Sequence, residues 1–250
     1  MYRQRFLINN DCFKAGKRLS PKGIMLHSVG VAQPSAARHI LNFDRAGLKA
    51  AVHAFIDGNT GDVWQTLPWT MRAWHCGGAA NDTHIGVEMC EPDTILYTSG
   101  ARWIEVNREK TEEVVSRTFD TAVELFADLC DLYDLNPLAD GVIISHSEGY
   151  KRGVASNHAD VEHIWREFGL TMDGFRRAVA ARLNAKKVVV KVPEAPKQKL
   201  GPHEWAEEAM KWAAENGIMK GDETGDLRPR DTLTREEFAV MAMRLWKLIK

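Results

Sequence analysis

Two short apolar runs, Gly23–Ser28 (GIMLHS) and Gly141–Ser145 (GVIIS), constrain this chain most, because each ends on a histidine, His27 and His146. Each reads as a short buried strand. Pro34-Ser35 opens a helix over residues 35–46 with a serine cap. Residues 52–57 and 62–66 are strand-like around Gly58-Asn59-Thr60-Gly61, which is hairpin chemistry. His84–Cys90 alternates like a further strand, and Pro92–Val106 reads as an irregular excursion. The clearest helix carries Val115, Phe119, Ala122, Phe126, Leu129 and Tyr133 on one stripe and stops at Asn136-Pro137. Two short helices follow, over 161–168 and 172–183. Strands interleaved with helices predict an α/β domain: a mixed central sheet flanked by helices.

The bulk numbers exclude several classes. Lys+Arg (33) nearly balances Asp+Glu (34), so no polycation for nucleic acid is present. No apolar run approaches the roughly 20 residues that span a bilayer. The opening MYRQRFLINN has charge but no apolar signal core, so synthesis in the cytoplasm without a signal peptide is expected. Cys12, Cys76, Cys90 and Cys130 are dispersed, which argues against a disulfide framework and a four-thiolate zinc site. Between 186 and 199 five lysines oppose Glu194, beside Pro193 and Pro196, a linker signature; Val188-Val189-Val190 reads there as a short edge strand. Helical patterning resumes over 205–217 and 234–248. The expected organisation is a domain over 1–183, a linker over 184–200 and a small, mostly helical module over 201–250.

A single histidine at a strand exit is more often structural than a ligand. Two of them, with His158-Ala159-Asp160, suit one Zn²⁺ held by three side chains with a fourth position for water. Glu88 interrupts the apolar Ile85–Met89 and either faces solvent or serves as a general base beside that water.

These residues resemble a known family. Gly23–Ser28, Ala73-Trp74-His75-Cys76-Gly77-Gly78, Ile85–Glu88 and Ile144–Glu148 resemble the successive blocks of the zinc-dependent N-acetylmuramoyl-L-alanine amidases, the type-2 amidases related to peptidoglycan recognition proteins. His146–Trp165 is similar to the lytic amidases of phages and prophages of Gram-positive bacteria. The resemblance implies zinc on His27, His146 and Asp160, with Glu88 as catalytic glutamate and His158 stabilising the oxyanion. The chain has Asp160-Val161 where the family usually has Asp-Pro, so His158 stands as the alternative third ligand. Trp74, with Trp64 and Trp69, is either a platform for sugar rings or core; His53 falls on a family position lining the cleft and is either a substrate contact or packing. The substrate implied is peptidoglycan, cut between N-acetylmuramic acid and L-alanine.

Residues 203–245, with Gly217–Asp222, Leu227-Arg228-Pro229 and Leu233–Phe238, resemble an S-layer homology module. That implies binding of a secondary cell-wall polymer, with Arg235 on an anionic group or else paired with a carboxylate. Trp205, Trp212, Phe238 and Leu245 are expected to pack together or against a second copy, which makes a homodimer through this module an expectation. The leading reading is a lysin released through a phage-made membrane hole (holin). A non-enzymatic peptidoglycan-binding protein and an intracellular muropeptide-recycling amidase are the alternatives.

Overall fold

The structure is a computed structural model that describes residues 1–190, 201–222, 225–230 and 233–249. It divides into two compact units, Met1–Lys191 and Val192–Lys250.

The first unit runs β1 (Tyr2–Gln4), α1 (Asp11–Ala15), β2 (Gly23–Ser28), α2 (Ala36–Phe43), β3 (Ala54–Ile56), β4 (Val63–Gln65), β5 (His84–Met89), β6 (Ile95–Ser99), β7 (Arg102–Glu105), α3 (Arg108–Leu132), β8 (Ile143–Ser145), α4 (His146–Lys151), α5 (Glu162–Trp165) and α6 (Met172–Val190). Six strands form one sheet in the order β1-β4-β3-β5-β2-β8, in which only β3 and β4 pair antiparallel. Every residue of β2 is buried, as a central parallel strand covered on both faces requires.

Side-chain parity then positions the site. Ile24 and Leu26 of β2, Ile85 and Val87 of β5, and Ile143 of β8 join the large core with α3 and α6. Alternate residues point the other way, so Met25 and Ile144 pack with Cys76 and Ala80 in a separate small cluster. His27 and Glu88 share that second parity and are direct partners in the β2–β5 register. The two residues therefore stand side by side on the face away from α3 and α6.

Four expectations need correction. Ser35 sits at the N-cap of α2, but its side chain makes no capping bond; the Asp57 carboxylate accepts from the Ala36 N–H instead, at 2.8 Å. Asp57 also holds the 58–61 turn by accepting from the backbone of Asn59 and Thr60. Pro92–Val106 is no irregular excursion, since β6 and β7 form an antiparallel ribbon. Helix α6 continues past Leu183 to Val190, so Val188–Val190 is helix rather than edge strand, and residues 184–190 are not extended linker. Its added part is tied to α3 by the ion pair from Lys186 to Asp128, next to the one from Arg182 to Glu124. The rest of the expected linker, 191–200, lies outside the described residues.

The second unit contains α7 (Glu207–Glu215) and α8 (Arg235–Leu248). Thr234 caps α8 in a reciprocal box with Glu237. Trp205, Trp212, Phe238 and Leu245 do not form an internal core: they are 85%, 49%, 62% and 41% exposed. Among the described residues of this unit only Ile218 is a buried hydrophobe.

Candidate metal centre and active site

His27 leaves β2 one residue before its end. His146 is the first residue of α4, whose start is set by a capping box: the Ser145 hydroxyl accepts from the Glu148 N–H at 3.0 Å, and the Glu148 carboxylate accepts from the Ser145 N–H at 3.2 Å. A bidentate contact from Arg176 on α6 to Glu148, both bonds 2.9 Å, anchors that turn. Asp160 is held by its own carbonyl, which accepts from the Ser147 N–H at 3.0 Å.

These three residues converge. His27 Nδ1 lies 3.0 Å from His146 Nδ1 and 3.2 Å from Asp160 Oδ2, and the last two atoms are 3.6 Å apart. In a tetrahedral zinc site with bonds near 2.0–2.1 Å, neighbouring donors are separated by roughly 3.3–3.4 Å. The observed triangle brackets that edge, and its two-imidazole, one-carboxylate chemistry suits the ion, so the residues present fit zinc. Burial lowers the His27 pKa, which favours the neutral, ligating imidazole. Burial pushes the Asp160 carboxyl up, but the bonds from His146 and His27 outweigh it and hold the group below the usual carboxylate range.

Glu88 is half-buried, and its Oε2 is inaccessible with no hydrogen-bond partner among the described residues. Burial, with the charges of Asp160 and Glu91, raises its pKa well above 4.5. A buried carboxyl oxygen left unpaired at the register position beside His27 is costly unless a reacting group completes it.

His158 is exposed and is not in the converging triad. Its ring lies 4.4 Å from that of His146, and its Nδ1 is 3.0 Å from the Ser156 hydroxyl. Ser156 also stands 3.2 Å from His146 Nε2 and 3.0 Å from the Cys76 carbonyl. His53 does not line a surface: it is 0% exposed, with Nε2 donating to the Met71 carbonyl and Nδ1 accepting from the Gly86 N–H. Both ring nitrogens are consumed by backbone, so the expected substrate contact is not met there. Trp74 is half-buried against the cluster that contains Leu7 and Phe55.

Two groups of residues escape sequence reasoning. His75 places Nδ1 2.9 Å from His27 Nε2 and Nε2 3.1 Å from the His84 carbonyl. The signal for it is Gly86, where a Cβ would lie 2.4 Å from the His75 ring. Buried Glu91 accepts from the Gly30 N–H at 3.0 Å and from the Tyr97 hydroxyl at 2.7 Å, and that hydroxyl also meets His163 Nε2 at 2.7 Å. Burial raises the Glu91 pKa from 4.5 to about 7, against the opposing effect of its hydrogen bonds.

Residues 17–162 match the N-acetylmuramoyl-L-alanine amidase family. The chain belongs to this family. Residues 200–239 match the S-layer homology domain. A curated relative, the N-acetylmuramoyl-L-alanine amidase BlyA of Bacillus subtilis (strain 168), is 23% identical over 180 residues, 70% of this chain. The match covers 45% of BlyA, so the chain accounts for less than half of that relative's length. The amidase unit shares its fold with the Staphylococcus aureus hydrolase AmiA, solved with its ligand: TM-score 0.55, 18% identity, 75% of this chain and 85% of the other. A mutant endolysin from Bacillus subtilis superposes with TM-score 0.50 at 18% identity, over 72% of this chain and 98% of its own.

In the S-layer homology unit Arg235 opens α8, exposed and with no ion pair among the described residues, so the expected carboxylate pairing is not seen. A groove of about 650 Å³ in this unit is lined by Met210, Leu227, Val240 and Met241 with Lys220 and Arg244, and Arg235 is not part of its wall.

Proposed function

We propose that this chain is a zinc-dependent peptidoglycan hydrolase of the phage or prophage lysin type, cutting the amide between N-acetylmuramic acid and L-alanine. The observation that carries the reading is the convergence of His27, His146 and Asp160 beside the unpaired carboxyl of Glu88. Bound there, Zn²⁺ would supply Lewis-acid polarisation of the scissile carbonyl and a more acidic attacking water. Glu88 Oε2 takes the proton released by that water and returns it to the leaving amine nitrogen. A carboxyl with an elevated pKa is suited to both transfers near neutral pH, since it can hold the proton between them. His158 holds Nδ1 against Ser156 and offers its other nitrogen to the carbonyl oxygen as that atom gains charge.

The lone pairs of the triad leave Asp160, not His158, as the third ligand in this proposal. The second unit would retain the enzyme on the wall through an anionic secondary polymer, with Arg235 free to meet it. Exposed Trp205 and Phe238 support self-association through the same unit.

The test is digestion of purified Gram-positive walls by the full chain, with and without a chelator and with zinc restored. New N-terminal L-alanine, lost on chelation and regained with zinc, is expected. Release of reducing sugar ends instead, or cleavage indifferent to chelator, would refute the reading.

A further inference from the structure

We infer that His75 is a positioning residue, which locks His27 in the tautomer that presents an unprotonated Nδ1 to the metal. The inference rests on the zinc reading above, but its geometry stands apart from it. The His84 carbonyl can only accept, so the 3.1 Å contact from His75 Nε2 requires a proton on that nitrogen. A neutral His75 then has a bare Nδ1, which must accept at its 2.9 Å contact. His27 Nε2 is the donor, and its ring proton is spent on the side away from the triad. His27 Nδ1 is left with a free lone pair at 3.0 and 3.2 Å from its fellow donors. An imidazolium at His75 would reverse the relay, but its ring neighbours are His27 and His53, and among the described residues no carboxylate bonds to it.

The sheet is built to seat this ring. Gly86 lies on β5 two residues before Glu88, on the parity that faces the site, and any Cβ there would press on the His75 ring at 2.4 Å. Its own N–H is meanwhile taken by His53. The acceptor at the end of the relay, the His84 carbonyl, belongs to the first residue of the same strand. The strand next to β2 therefore supplies both the gap for His75 and the carbonyl that orients it.

The test has two readouts on the full chain. In metal-free wild type, long-range ¹H–¹⁵N correlation of the ring nitrogens, assigned with H27Q, should show His27 protonated on Nε2 and bare on Nδ1. Zinc affinity by competition with a chromophoric chelator should fall about 10–100-fold in H75A. H75N keeps an oxygen able to accept from His27 and should bind zinc more tightly than H75A, a rescue that loss of packing alone would not give. A proton on His27 Nδ1 in the metal-free protein, or wild-type zinc affinity in H75A, would overturn the inference. Failure of wild type to bind zinc would instead overturn the metal reading, while the tautomer would still report on His75.

Discussion

Replacing Glu91 by glutamine should change how stability depends on pH more than it changes the structure. The carboxyl is 2% exposed, bonded to the Gly30 N–H and the Tyr97 hydroxyl, and faces His163 Nε2 across 3.9 Å and the charge of Asp160. Burial is the largest influence and raises its pKa from 4.5 to about 7. A raised carboxyl holds its proton in the native state after the unfolded chain has lost it. Its stabilising contribution is thus complete below pH 4.5 and declines as pH rises through about 7. The total decline is about 3 kcal/mol, because each tenfold difference in proton affinity between the folded and unfolded chain is worth about 1.4 kcal/mol. Glutamine imitates the protonated acid, with one acceptor and one donor, and does not titrate. In urea titrations with chelator present, E91Q should match wild type near pH 4 and exceed it by about 3 kcal/mol at pH 8. Glu88 contributes a slope of the same sign in both proteins, and because the Glu91 charge helps raise the Glu88 pKa, the difference between them reports Glu91 together with that coupling. A difference that stayed constant from pH 4 to pH 8 would show that Glu91 titrates normally and refute the reasoning.

Three further outcomes are expected. His158→Ala should keep its zinc and lose about 10²–10³ in kcat, measured on soluble muropeptides, as befits one lost oxyanion donor; loss of zinc on metal analysis would make it a ligand instead. Phe126→Ala removes a fully buried ring whose centroid lies 5.1 Å from that of Phe175, and should cost about 3–5 kcal/mol by chemical denaturation. A chain ending at Lys191 should cleave soluble muropeptides like the full protein but sediment less with intact walls, and should be monomeric by light scattering; unchanged wall binding would leave the second unit a role in association alone.

The site was legible where chemistry interrupts pattern. His27 and His146 stand at the ends of largely apolar runs, and Glu88 breaks a third; that His27 and Glu88 share one face is set by the β2–β5 register, which the sequence does not show. His75 was not legible, because it sits in the irregular stretch between β4 and β5, where no periodicity assigns a direction. The glycine that seats it reads in sequence only as a weak strand residue. Ribbon β6–β7 was missed because neither strand carries a long apolar run: only Ile95 of Ile95–Ser99 is buried, and none of Arg102–Glu105 is. Val188-Val189-Val190 has local strand propensity, but the alanine- and arginine-rich helix before it, paired to α3, carries through. In the second unit Trp205, Trp212 and Phe238 are large apolar residues in separate elements, and sequence cannot say whether each finds anything to pack on.

The donors that meet at the centre are far apart along the chain: His27 and His146 by 119 positions, His27 and Asp160 by 133. At translation rates of about 5–20 residues per second, the last donor emerges on the order of 10 s after the first. A nascent or prematurely terminated chain that ends before Asp160 carries at most two of the three, and the sheet register that aligns β2 with β8 cannot form until Ile143–Ser145 has been made. Fragments from stalled ribosomes therefore cannot bring the three side chains together, and the cell synthesising the protein meets the complete cluster only on chains whose first unit is nearly whole.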